Sequence, residues 1–362
     1  MTEPAAPLPC VGSEHLTLLV DELDRATARL RSTIAIADPA AVAARRADED
    51  AVTAEATLRL DGGLRASEDG GTERAGTWLD ALGGDDGVDE ATLVQLSARE
   101  HAGVTAGVAA TDLADAFGRA NADAGGLGTA LAMLHARLTV GLVAPERAGM
   151  LRLGPRVVHD ASVGKVLFFP TDAALLADAW DGLLRHVTGS GAGGAAARLP
   201  AAVRAGVLHL ELLRHQPFDA ANGRLARAAG RLALIADGLM PEGLGAPDAV
   251  LAEDPLGYHE EVGASLRRRD ATRWIERLLE AQGIALQRSI AALDGATSGT
   301  PAESIPDERV PDGLKDGFTL GDVVELTGAS PAAARAHCST WVVSGQVQRV
   351  VGSGGLRFSR PA

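Results

Sequence analysis

The stretch His215-Gln216-Pro217-Phe218-Asp219-Ala220-Ala221-Asn222-Gly223-Arg224-Leu225-Ala226-Arg227 decides the reading of this chain. The residues before it, from Pro200 to Arg214, carry helical apolar periodicity, and so do those after it, from Arg224 to Gly238. The segment is therefore a loop between two helices. Asn222-Gly223 permits a left-handed turn immediately before the second helix. Unpaired backbone N–H groups and the positive end of that helix then face the loop, which favours an anion. Arg224 and Arg227 are three apart and share a face of the first turn. Two guanidiniums beside such an N-terminus suit a polyphosphate better than a lone carboxylate. The same residues also fit a solvated arginine face after an ordinary Asn-Gly turn.

Outward from this loop the chain reads as mainly helical. Its 362 residues are 46% hydrophobic but only 3% aromatic, so Ala, Leu and Val must build the core. Helices are expected from Ser13 or Glu14 through Leu30, over Pro39–Leu58 with a stop at Asp61-Gly62-Gly63, over 73–82 and over 88–102. One or two more fill 112–142, one runs from a Thr171 or Asp172 cap to about Val187, and two cover 256–265 and 271–293. A single β-hairpin is expected between 147 and 170, the one strand signal in the first 300 residues. Residues 294–314, rich in Gly, Ser, Thr, Pro and Asp, read as a linker. Beyond it the pattern is helix, turn, a helix opened by Pro331, then strand, turn and strand, the winged-helix layout.

Charge and cysteine content narrow the function classes. A net charge of −14 argues against a broad nucleic-acid surface. Cys10 and Cys338 lie at opposite ends and make no metal or disulfide framework. No apolar run is long enough to span a bilayer, and Met1–Pro9 lacks the basic flank and apolar core of a leader, so a cytoplasmic protein with no membrane contact is expected. No Walker A, Rossmann or Gly-x-Ser-x-Gly pattern is present. His101, His135, His159, His186 and His259 show no metal-ligand spacing, and His135 reads as a packing residue on an apolar helix face.

The loop resembles the signature of the Fic (Fido) family, His-Pro-Phe-x-Asp/Glu-Gly-Asn-Gly-Arg-x-x-Arg. Pro217, Phe218, Asn222, Gly223, Arg224 and Arg227 match in register, and His209 matches a histidine often found seven residues before the signature histidine. Leu134-His135-Ala136-Arg137-Leu138 resembles the family's Leu-His-x-x-Leu helix. Gly149 to Val158, then Phe169-Pro170, resembles its flap hairpin. Thr57-Leu58-Arg59-Leu60-Asp61-Gly62 resembles its inhibitory Ser/Thr-x-x-x-Glu-Gly motif, and the tail resembles the winged helix of some members.

The resemblance implies a mainly α fold: an N-terminal helical region with the inhibitory motif (1–110), a Fic core with a β-hairpin flap (111–293), a linker (294–315) and a winged helix (316–362). It implies AMP transfer from ATP to a protein hydroxyl. Asn222, Gly223, Arg224 and Arg227 would hold the nucleotide, Asp61 would pair with Arg227 and block the γ-phosphate position, and a protein target would dock at the flap near Arg152 and Val157. Two departures bear on catalysis. Gln216 stands at the position of the general base, and a neutral amide accepts no proton. Ala220 stands at the Mg²⁺ ligand position. His215 and Asp219, each one residue earlier, are the available substitutes for base and metal ligand. Loss of a general base costs about 10²–10⁴-fold. The expectation is an ATP-binding, degenerate adenylyltransferase with weak or lost catalysis. The alternative is a non-catalytic adaptor or transcription-associated regulator. Protein contact is favoured over DNA for the tail, because its second helix is rich in alanine and Arg335 is its one arginine.

Overall fold

The computed structural model describes residues 8–10, 12–61, 65–66, 72–73, 90–118, 124–159, 166–189 and 199–298, and in the C-terminal part 310–311, 313–318, 346–352, 355–360 and isolated positions between. The chain divides into two compact units, Met1–Thr297 and Ser298–Ala362.

Helix α1 (Glu14–Ile36) starts where the Ser13 hydroxyl accepts the Leu16 N–H, at 2.9 Å. Helix α2 (Pro39–Leu60) starts at an Asp38 cap with Pro39 in its first turn and ends on Asp61. A two-strand ladder, β1 (Arg65–Ala66) and β2 (Thr72–Glu73), follows. It corrects the expectation that the first 300 residues hold a single hairpin, and it puts Glu73 in a strand, where a helix was expected. Strands of two residues are too short for apolar alternation to announce them. The rest of the helix expected over 73–82 lies outside the described residues.

Helix α3 (Glu90–Val108) outruns its expected end by six residues. Gly103 and Gly107 bring it against Leu138: a Cβ on Gly103 would lie 2.4 Å from the Leu138 carbonyl oxygen. The 112–142 region resolves into a 3₁₀ turn (Thr111–Phe117) and α4 (Ala124–Leu138). Leu127, Leu131, Leu134 and Leu138 of α4 are all buried. Strands β3 (Val158–His159) and β4 (Val166–Phe168) pair antiparallel. Helix α5 (Leu176–Thr188) follows a turn capped by Asp172.

Helices α6 (Ala201–His215) and α7 (Asn222–Ala236) form the centre of the first unit. Almost every position of α7 from Arg224 to Leu234 is buried, so this helix has no solvent face. That is why its arginines cannot be a solvated stripe. The chain continues through α8 (Asp248–Leu251), α9 (Pro255–Arg268) and α10 (Thr272–Ser298). Helix α10 extends past 294, five residues into the segment read as linker: no proline interrupts it before Pro301. In the second unit β5 (Gln348–Gly352) and β6 (Gly355–Ser359) form the expected hairpin. Leu314, Phe318, Val323, Cys338, Trp341, Val347 and Phe358 make its own core. The bulk of the two helices expected there lies outside the described residues.

The aromatic centre of the first unit is Trp274, whose indole N–H donates to the Gly206 carbonyl at 3.1 Å, with Tyr258 and His209 packed on it. His209 is buried, and its Nε2 lies 3.1 Å from the Tyr258 hydroxyl. Burial, with Arg227 adding to it, pushes the imidazole down to about 3. An unfolded histidine titrates near 6.5, so between those values the unfolded chain takes up a proton that the folded core refuses. Stability therefore falls as pH drops below about 6.5. The His209 contribution is expected to be about 2 kcal/mol between pH 6.5 and pH 5. Urea unfolding of wild type and His209→Gln at pH 7 and pH 5 checks this: the variant should lose less stability on acidification, and equal losses would refute the assignment.

Candidate functional site

The site sits where α2 ends, α7 begins and α3 passes alongside. The Asp61 carboxylate lies against the first turn of α7. Its Oδ2 accepts from Arg224 Nε at 2.6 Å, and its Oδ1 accepts from an Arg227 terminal nitrogen. A Cβ on Gly223 would come within 3.0 Å of that Oδ1, so glycine is what lets the carboxylate reach the helix start. Arg227 also donates to the Thr57 carbonyl at 3.0 Å, gripping the last turn of α2 twice. Arg224 is shared with Glu100 of α3, at 2.7 Å. Arg231, one turn on, donates to the Gly107 carbonyl of α3 at 3.0 Å.

Electrostatics hold this cluster charged. Burial alone would raise the Asp61 carboxyl, but the two guanidiniums outweigh it and hold it below the ordinary carboxylate range. Burial disfavours the charge on Arg224 and Arg227, yet their carboxylate partners prevail and both are pushed above the ordinary arginine value. The place at the α7 N-terminus that the sequence marks for an anion is thus taken by the chain's own carboxylate.

The loop from 216 to 221 is built by backbone bonds. Gln216 and Ala221 are both left-handed, with φ of 45° and 54°. The Asn222 side chain closes the loop on Phe218: Oδ1 accepts the Phe218 N–H at 3.0 Å and Nδ2 donates to the Phe218 carbonyl at 2.8 Å. Phe218 is buried and stacks on His135 at 4.2 Å between centroids. His135 accepts the Gly149 N–H at Nδ1, so its proton sits on Nε2 and is donated to the Ala220 carbonyl at 3.1 Å. Burial lowers its pKa, which favours that neutral tautomer. It is the satisfied packing residue that its position on an apolar helix face suggests.

The residues expected to carry chemistry are dispersed. Gln216 turns its amide back onto its own helix, donating to the Leu213 carbonyl at 3.0 Å. His215 is buried: Nδ1 lies 2.7 Å from the Thr171 hydroxyl and Nε2 lies 3.1 Å from Glu211. Asp219 is paired with Arg147 at 2.9 Å. With Ala220 offering no ligand and Asp219 already neutralised, the loop as folded does not fit a magnesium ion. Among the described residues no group of three His, Cys, Asp or Glu side chains could hold a metal.

Arg152, expected at a docking surface, is instead 3% exposed. Its guanidinium fastens the loop, donating to the carbonyls of Gln216 at 2.8 Å, Gly154 at 2.7 Å and Thr171. Its backbone N–H reaches the Pro217 carbonyl at 2.9 Å, and Leu151 bridges to Phe218. Val157 does lie exposed. The site residue missed in the sequence is Glu100. It falls four residues before Val104 and eight before Val108, both buried, so a carboxylate on an apolar face was the signal available.

No family model matches the sequence, and no curated protein matches it. Solved structures do resemble it. A Fic family protein from Desulfovibrio desulfuricans G20 aligns with a TM-score of 0.55 over 98% of this chain and 98% of its own, at 16% identity. Residues 134–508 of Fic-1 from C. elegans align at 0.53 over 77% of this chain and 74% of that one, at 13% identity. A Fic-domain-containing signalling protein from Bacteroides thetaiotaomicron aligns at 0.51 over 78% of this chain and 99% of its own, at 14% identity. No helix among the described residues is long and apolar enough to cross a membrane. At these identities the likeness is one of architecture, and the chain has the fold of Fic proteins.

Proposed function

We propose that this protein is a nucleotide-binding relative of protein adenylyltransferases, closed by Asp61 and weak or inactive in transfer. The observation that carries the reading is the Asp61 carboxylate on Arg224 and Arg227 at the start of α7. Two guanidiniums and a helix N-terminus held by an internal carboxylate can be exchanged for a nucleotide's phosphates once that carboxylate withdraws. In this reading Asn222 shapes the loop, Gly223 gives close backbone approach, and Arg224 and Arg227 take the phosphates. With Asp219 paired to Arg147, any magnesium would be held by the nucleotide's own phosphates rather than by a loop carboxylate. The ladder β3–β4, with Val157 beside it, serves as the flap for a protein target. The C-terminal unit acts as a winged helix that contacts protein rather than DNA.

The adaptor reading also has an observation in its favour. The Gln216 amide donates to its own helix and His215 is enclosed, so neither of the two candidate bases faces the loop. Calorimetry with Mg-ATP separates the two readings. Asp61→Gly should bind at least about tenfold more tightly than wild type, and Arg227→Ala should abolish binding. No binding by any folded variant would leave the adaptor reading standing. If the nucleotide does bind, transfer of label from the α-phosphate should stay at background in Asp61→Gly. It should rise by about 10²-fold or more when Gln216→His and Ala220→Asp are added. Label on Asp61→Gly alone would contradict the assignment of weak or lost catalysis.

A further inference from the structure

A cleft lies at the C-terminal end of α7, with a volume of about 520 Å³, within the range of small-molecule sites. Arg31 of α1 and Arg46 of α2 line it together with Ile34, Ile235 and Met240. Its wall includes the turn at Pro241–Gly243, where Glu242 adopts φ 54°, ψ 19°. A non-glycine residue in that conformation costs energy and persists only where the surroundings impose it, and such residues gather at ligand sites. Arg31 donates to the Gly238 carbonyl with one terminal nitrogen. Arg46 approaches Asp50 only to 3.9 Å, with its side chain 38% exposed.

We infer that this cleft binds a small organic carboxylate with an apolar body. Arg31 and Arg46, both lining the cleft, would take the carboxylate, since a guanidinium's donors match its fork of oxygens. Ile34, Ile235 and Met240 would cover the hydrocarbon. Glu242, in the same lining, would turn the carboxylate toward the arginines and away from its own charge. The occupant would touch α1, α2 and α7 at once. Along α2 the cleft lies about 20 Å from Asp61, from the helical rise between Arg46 and the helix end. The cleft is therefore separate from the phosphate site and does not depend on the reading given to it.

Octanoate, octanol and octylamine are the probes, titrated by calorimetry into the full chain. Octanoate should bind saturably with one-to-one stoichiometry, at least tenfold more tightly than octanol, and octylamine should not bind. Binding should weaken at least tenfold in the double variant Arg31→Ala/Arg46→Ala. Ala35→Trp fills the cleft from an exposed position of α1 and should abolish binding even if the arginine variant fails to fold. The inference is overturned if wild type shows no saturable octanoate binding, if octanol binds equally well, or if Ala35→Trp binds octanoate as wild type does.

Discussion

One carboxylate between two guanidiniums ties together the three helices that make the site. Asp61 closes α2, Arg224 and Arg227 open α7, and Glu100 brings α3 to the same arginine. Arg227 has 2% of its side chain exposed and Arg224 has 6%. Burying either guanidinium without these partners would carry a large desolvation penalty. An ion pair of this kind is poor evidence for overall stability, because a hydrophobic replacement can do as well. Removing one partner is different, since it strands a buried charge at a cost of about 3–5 kcal/mol. The arrangement therefore specifies where α2 sits on α7 more than it strengthens the fold. It also makes the N-terminus of α7 a place that some anion must fill, the chain's own or a ligand's.

The loop before α7 is rigid for a separate reason. Arg152, His135 and Asn222 spend their polar atoms on its backbone carbonyls and N–H groups. A loop with two left-handed non-glycine residues would otherwise relax. This scaffolding explains how the loop and the arginines beside it keep their geometry although position 216 carries no imidazole. The clamps act on main-chain atoms, so they are indifferent to whether position 216 carries an imidazole or an amide.

Much of this was legible in the sequence. The loop between α6 and α7, the paired arginines and the carboxylate at the end of α2 are local patterns, and local patterns survive folding. The caps at Ser13 and Asp172 placed helix starts for the same reason. What stayed hidden depends on contacts between distant segments. Nothing near Glu100 points to Arg224, and nothing near Arg152 shows that its guanidinium turns inward. The inward turn of Gln216 follows from a left-handed cap that no local residue demands. The small β1–β2 ladder and the extra turn of α10 were missed because short strands and helix ends carry little periodic signal.

The central claim is that Asp61 and Arg227 hold one another across the α2–α7 contact. A double-mutant cycle tests it most directly, with urea unfolding of wild type, Asp61→Asn, Arg227→Gln and the double variant at pH 7. The account predicts a coupling of at least about 2 kcal/mol, because Asp61→Asn strands the buried Arg227 guanidinium, a cost that the double variant does not carry. Additive losses, agreeing within about 0.5 kcal/mol, would mean the two side chains do not depend on each other, and the account would fail.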